Sequence, residues 1–172
     1  MKFKQKTPPA LTGKARVAIV LVAFGASIAT ATSTAAQTAS PAVALVAVAQ
    51  GLKNPWAVAF LPQGQFLVTE RSGQMRVVSA TGQVSAPVAG LPAIATGGQG
   101  GLLDVVTDAA FESNRRIFFC FSEPAAPGAR GNSTALARAT LSPDARSLQD
   151  VKVIFSQQPK VESSLHFGCR IA

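Results

Sequence analysis

From residue 43 onward the chain reads as short apolar runs cut by turn residues. Val43 to Ala49 is apolar throughout, and Ala57 to Leu61 meets a turn at Pro62-Gln63-Gly64. Phe66 to Thr69 follows, then a turn at Ser72-Gly73, then Met75 to Val78, a turn at Thr81-Gly82 and a weaker run at Ala86 to Ala89. Runs rich in Val, Phe and Thr, bounded by Gly, Pro and Ser, predict strands. No stretch of this part keeps a helical period over three turns.

The pattern then recurs. Leu102 to Thr107 is apolar apart from Asp104, residues 108–114 connect, and Arg116 to Ser122 predicts another strand. Within it Ile117, Phe119 and Phe121 share one face, and Phe118 and Cys120 share the other. Both faces are apolar, so this strand is expected to be covered on both sides. Residues 124–132 form a loop, Ser133 to Leu141 alternates, and Val151 to Phe155 closes the unit. Each unit is about four antiparallel strands, with a third unit expected to begin near His166. Spacings of roughly 45 and then roughly 60 residues suit the blades of a β-propeller, while a generic β-sandwich is an alternative that periodicity alone leaves open. The fold class is all-β in either case.

Charge changes this picture only at the N-terminus. The 172 residues carry 16 Lys and Arg against 8 Asp and Glu, a net charge of +8. Five of the cations (Lys2, Lys4, Lys6, Lys14, Arg16) precede residue 17, and the first acid is Glu70. Without the first 36 residues the net charge is +3, and the remaining cations are scattered apart from Arg115 and Arg116. A nucleic-acid partner is therefore not expected.

Lys2 to Arg16, the apolar Val17 to Phe24 and the small residues around Ala29-Thr30-Ala31 and Ser33-Thr34-Ala35 form the pattern of a secretory signal peptide. Its apolar stretch is shorter than the roughly 20 residues that span a bilayer, so cleavage is expected and no stable membrane anchor. The domain organisation is then 1–36 signal peptide, 37–42 linker and 43–172 β domain, in a periplasmic or secreted protein. Such a compartment is oxidising. The two cysteines, Cys120 and Cys169, are read as small buried residues on separate strands. Their spacing does not fix the Cα separation that a disulfide requires. Two Cys and one His at wide spacing do not make a zinc site.

Three features carry candidate chemistry. Gly97-Gly98-Gln99-Gly100-Gly101 precedes the first strand of the second unit; its glycines let backbone approach a ligand and leave the Gln99 amide reachable, or simply make a turn. His166 is the sole histidine, and an imidazole takes up a proton near neutrality, although a lone His is often structural. Arg170 offers a guanidinium for a carboxylate, or for a surface acid. Trp56 is expected at a blade edge, and Glu70-Arg71 reads as a solvated or paired strand end. The sequon Asn132-Ser133-Thr134 is read as chance.

Taken in order, these pieces resemble a known family. Gly51-Leu52-Lys53-Asn54-Pro55-Trp56, Ala59-Phe60-Leu61-Pro62, Leu67 to Gly73, Gly98 to Val105, Ser122-Glu123-Pro124 and His166-Phe167-Gly168 look like the soluble aldose sugar dehydrogenases that depend on pyrroloquinoline quinone (PQQ), the glucose/sorbosone dehydrogenase family. The resemblance runs from about Val43 to the last residue. It implies a six-bladed β-propeller, of which this chain holds about two blades and the start of a third. It implies PQQ and calcium as cofactors, oxidation of the anomeric carbon of an aldose, and an external electron acceptor. His166 matches the family's catalytic base and Gln99 a glutamine near substrate and cofactor; Arg170 is a weaker match.

Two local departures stand out. Thr107 to Phe111 replaces the family's usual His-Pro-Asp-Phe, and Cys169 stands where serine or glycine is commoner. The calcium ligands and most cofactor-gripping cations of the family lie beyond the position of Ala172, so no metal ligand is expected among these residues. The resemblance therefore implies an N-terminal part, inactive as a dehydrogenase by itself and poorly stable with open sheet edges. The alternatives are a non-enzymatic propeller that binds a partner, or a non-functional truncated gene product.

Overall fold

The computed structural model describes residues 43–172, so the expected signal peptide and linker lie outside the described residues. Among the described residues seven strands build two antiparallel sheets. β1 (Pro55–Phe60), β2 (Phe66–Glu70) and β3 (Gln74–Val78) form the first, in that order. β4 (Leu102–Thr107), β5 (Arg116–Pro124), β6 (Asn132–Leu141) and β7 (Leu148–Ser156) form the second. Among the described residues the helical content is one four-residue helix, α1 (Phe111–Asn114), and one 3-10 turn at Pro62–Gly64. Each sheet is a meander of sequential strands, as in a propeller blade.

Register explains which side chains meet. Pairing of Ala59 with Leu67 and of Leu67 with Val77 puts these residues on one face of the first sheet, with Met75 beside them. On the second sheet Ile117, Phe119 and Phe121 pair with Ala139, Ala137 and Ala135. Large rings on β5 opposite alanines on β6 leave room for the facing sheet. The two faces close on one core of Leu67, Met75, Val77, Leu102, Phe119 and Phe121 with their neighbours. As expected, β5 is apolar on both sides: Cys120 is fully buried on its other face, and Phe118 is half-buried.

Thr69 joins the sheets directly. Its hydroxyl accepts from the Ala57 N–H at 3.1 Å and donates to the Leu103 carbonyl at 2.6 Å, with no solvent exposure. Thr69→Val keeps the shape and loses both bonds. It is expected to cost about 1–2 kcal/mol, read as a shift in the midpoint of urea unfolding.

Several expectations need correction. Val43 to Ala49 is not a strand: Val43, Leu45 and Val46 are exposed, and no neighbouring described strand receives their backbone hydrogen bonds. Ala86 to Ala89 makes one isolated parallel bridge, Ala89 to Ser147, so the first sheet has three strands instead of about four. Of the two readings of Glu70, solvated or paired, the structure takes the paired one. Its carboxylate is buried, bonded to Arg76 at 3.2 Å and to the Lys53 N–H. Cys120 and Cys169 are not two separate buried thiols on strands. They form a disulfide across 49 residues, and Cys169 lies in irregular chain. Sequence spacing carries no information on the fold-back that brings Cys169 onto β5.

Arg115 and Arg116, the adjacent cations, are both engaged. Arg115 ends α1 at φ +52° and donates to the Leu141 and Ser142 carbonyls at 2.8 and 2.7 Å, while Arg116 lies 3.8 Å from Asp108.

Candidate active site

The glycine loop and the segment around His166 meet at one end of the sheets. The loop exists because two of its glycines stand where a side chain would not fit. Gly98 has φ +52°, and a Cβ there would lie 2.3 Å from the Ser164 carbonyl oxygen. Gly101 has φ +150°, and its Cβ would lie 1.9 Å from the Arg71 carbonyl oxygen. Glycine alone tolerates both the backbone angle and the approach. Ser122 pins the loop to β5, accepting from the Gly101 N–H at 3.0 Å.

This geometry presents Gln99 to the segment that carries His166. The Gln99 N–H donates to the Ser164 carbonyl at 2.8 Å. The Gln99 Oε1 accepts from the His166 N–H at 2.6 Å. Both ends of one residue therefore hold the backbone on which the imidazole stands, 67 positions away in sequence. His166 is exposed and adopts φ +64°, a left-handed conformation that a non-glycine residue keeps only when its surroundings hold it. Its main-chain nitrogen is fixed and its side chain faces outward, the arrangement a proton-transferring group needs.

Arg170 is placed differently. Its side chain is 84% exposed and its guanidinium lies 3.9 Å from the buried Asp104 carboxylate. It lines a cavity of about 280 Å³ with Trp56, Ala57, Val58, Asp104 and Cys169. Beside the glycine loop a smaller cavity of about 110 Å³ is lined by Gly97, Gly100, Asn132, Ser163, Ser164 and Phe167. The structure thus unites Gln99 with His166 and sets Arg170 over Asp104. Trp56 is half-exposed on β1.

Asp104 and Asn132 escaped the reading of the sequence. Asp104 interrupts an apolar strand and accepts the Ile171 N–H at 2.8 Å. A lone acid inside an apolar run was the available signal. Asn132 donates to the Ser163 carbonyl at 3.2 Å, and its buried Oδ1 has no partner. Among the described residues no group of three His, Cys, Asp or Glu side chains is placed to hold a metal ion.

A charged pair roots the same segment. Glu123 at the end of β5 accepts from the Lys160 ammonium and, at 2.6 Å, from the Ser156 hydroxyl. Partial burial opposes ionisation, but these partners outweigh it and hold the carboxyl below its usual 4.5. A depressed carboxyl contributes stability above its unfolded value and loses it as pH falls through its folded value. Glu123→Gln is accordingly expected to lower the melting temperature at pH 6, with the gap to the parent chain closing in acid below about pH 4. A gap that does not narrow as the pH falls would contradict the assignment.

Known proteins resemble this chain in sequence and in fold. The family model described as Glucose / Sorbosone dehydrogenase matches residues 52–172. The aldose sugar dehydrogenase YliI of Escherichia coli K12 is 42% identical over 135 residues, covering 77% of this chain and 36% of its own length. The crystal structure of the soluble aldose sugar dehydrogenase from Escherichia coli in its apo form superposes with a TM-score of 0.67 at 39% identity, covering 73% of this chain and 36% of that one. The PQQ-bound aldose sugar dehydrogenase from Streptomyces coelicolor superposes with a TM-score of 0.57 at 26% identity, covering 67% of this chain and 34% of that one. The chain spans about a third of the length of the curated relatives it matches.

Proposed function

Since the chain belongs to the glucose/sorbosone dehydrogenase family, we propose that its residues supply the proton-accepting side of a PQQ-dependent aldose dehydrogenase, with His166 as general base. The observation that carries this reading is the contact between Gln99 and His166, two residues of separate motifs held together at 2.6 Å. In the proposed reaction the imidazole takes the proton of the anomeric hydroxyl, C1 gives up its hydrogen as hydride, and the aldose becomes a lactone. Removing the hydroxyl proton as the hydride leaves avoids a cationic intermediate, and a positioned histidine is the side chain most often used for such a transfer. Gln99 keeps the His166 backbone in place and has its amide nitrogen left to contact sugar or cofactor.

A tricarboxylate quinone is recognised by amide and guanidinium donors. The Gln99 carboxamide and the outward guanidinium of Arg170 are the groups that would contact it. When bound, such a quinone would supply the hydride acceptor. Among the described residues no three His, Cys, Asp or Glu side chains are grouped to hold calcium. Turnover is therefore assigned to the longer assembly seen in the relatives. The 172 residues alone, given PQQ and calcium, are expected to reduce no dye with glucose.

The periplasm is the proposed location, supported by the export pattern of the first 36 residues and by the disulfide, which persists in oxidising compartments. Dye reduction by the full-length protein loaded with PQQ and calcium, assayed over a panel of aldoses, tests the function. Aldose-dependent reduction is expected. Failure on every aldose, together with no PQQ binding by calorimetry, would favour a non-enzymatic binding propeller.

A further inference from the structure

His166 belongs to a strap, residues 162–172, that has no strand or helix of its own. Segments with exposed backbone and few buried contacts open at little cost. Yet a base displaced by about 1 Å loses on the order of 100-fold in rate. Gln99 and Asn132 hold the strap before and at His166, by hydrogen bonds at 2.8, 2.6 and 3.2 Å. Beyond His166 the tethers change character. Three residues later Cys169 is bonded to Cys120, a fully buried residue of β5 between the core rings Phe119 and Phe121. Two residues after that, the Ile171 N–H donates to the buried Asp104 of β4 at 2.8 Å, and Arg170 pairs with the same carboxylate.

We propose that the Cys120–Cys169 bridge, backed by Asp104, is a positioning device for the His166 imidazole, clamping an otherwise loose strap to the rigid core of the second sheet. The hydrogen bonds on the Gln99 side open and close thermally; the covalent bond does not. Cys120 and Cys169 therefore act on the reaction through His166 without touching substrate. This inference rests on the reading of His166 as the base, and its test separates the two.

His166 is the sole histidine, so its imidazole gives a single reporter in the NMR spectrum of this chain. In the apo chain with the bridge intact, backbone order parameters of residues 163–171 are expected near the rigid value of about 0.85. Reduction with a phosphine, or the pair Cys120→Ala with Cys169→Ser, is expected to drop them below about 0.6 and to average the ring signal, with Leu103 and Ala137 unchanged. An unchanged strap would overturn the proposal. Collapse of the Leu103 and Ala137 signals as well would also overturn it, making the bridge a staple of the whole fold. Asp104→Asn keeps an acceptor for the Ile171 N–H and is expected to leave the strap ordered, whereas Asp104→Ala loosens its end.

In the full-length holoenzyme the cysteine pair variant is expected to lower kcat about tenfold with KM within about twofold, since the base is misplaced and the sugar still binds. The same pair made in a His166→Gln background is expected to cost nothing further. A full additional loss there would overturn the positioning role. If His166→Gln alone leaves kcat intact, the reading of the base fails, while the order parameters still decide whether the bridge fixes the strap.

Discussion

Replacing His166 by glutamine in the PQQ-loaded, full-length enzyme is expected to lower kcat by about 10²- to 10⁴-fold, the usual contribution of a positioned general base. Glutamine retains hydrogen-bonding capacity and similar bulk but takes no proton. The backbone N–H of residue 166 still reaches the Gln99 Oε1, so the strap keeps its anchor and KM is expected to change little. The check is steady-state dye reduction over a range of sugar concentrations. A variant with parental kcat would remove His166 from the chemistry. A variant with raised KM and parental kcat would make it a binding residue.

The second large effect concerns the core. Phe119 is fully buried where the two sheets face each other, opposite Ala137 on the neighbouring strand. Phe119→Ala removes a ring that alanine cannot let its neighbours fill, and is expected to cost about 3–5 kcal/mol. Domains of this kind hold only about 5–15 kcal/mol in total, so the variant is expected to be largely unfolded at moderate denaturant. Phe118 is the control: it points to the opposite face and is only half-buried. Phe118→Ala is expected to cost less than half as much. Equal costs in denaturant titration would mean that the register of β5 is other than described.

That contrast also shows why β5 was legible in the sequence. Alternation of Ile117, Phe119 and Phe121 with Phe118 and Cys120 states two faces, and the structure gives each the burial its pattern implies. β2, β3, β4 and β6 were legible for the same reason: local periodicity and turn residues specify a meander without knowledge of its partners. Val43 to Ala49 misled because apolar character was read as pairing. A strand needs a neighbour to receive its hydrogen bonds, and hydropathy does not report one.

The site divides along the same line. The glycines of the Gln99 loop were visible as a cluster, and His166 as a lone titratable group in a distinctive setting. Their contact was not visible in the spacing, because it joins residues 67 positions apart. The resemblance to a family put both residues near substrate, and the structure adds their contact. Arg170 was placed near cofactor on weaker grounds and proves to sit over Asp104. The disulfide was read the other way, since nothing in a separation of 49 positions tells whether Cys169 returns to β5. Glu70 stayed open between solvated and paired because its partners, Arg76 and the Lys53 backbone, arrive through strand pairing and a preceding turn.

One measurement bears most directly on the central claim that this chain carries the proton acceptor for aldose oxidation. It is the crystal structure of the full-length holoenzyme with a bound aldose or its lactone. The account expects an imidazole nitrogen of His166 within about 3 Å of the oxygen on C1, with Gln99 still bonded to the His166 backbone. A sugar bound with its C1 oxygen beyond reach of His166, and in contact with a different acid–base group, would contradict it.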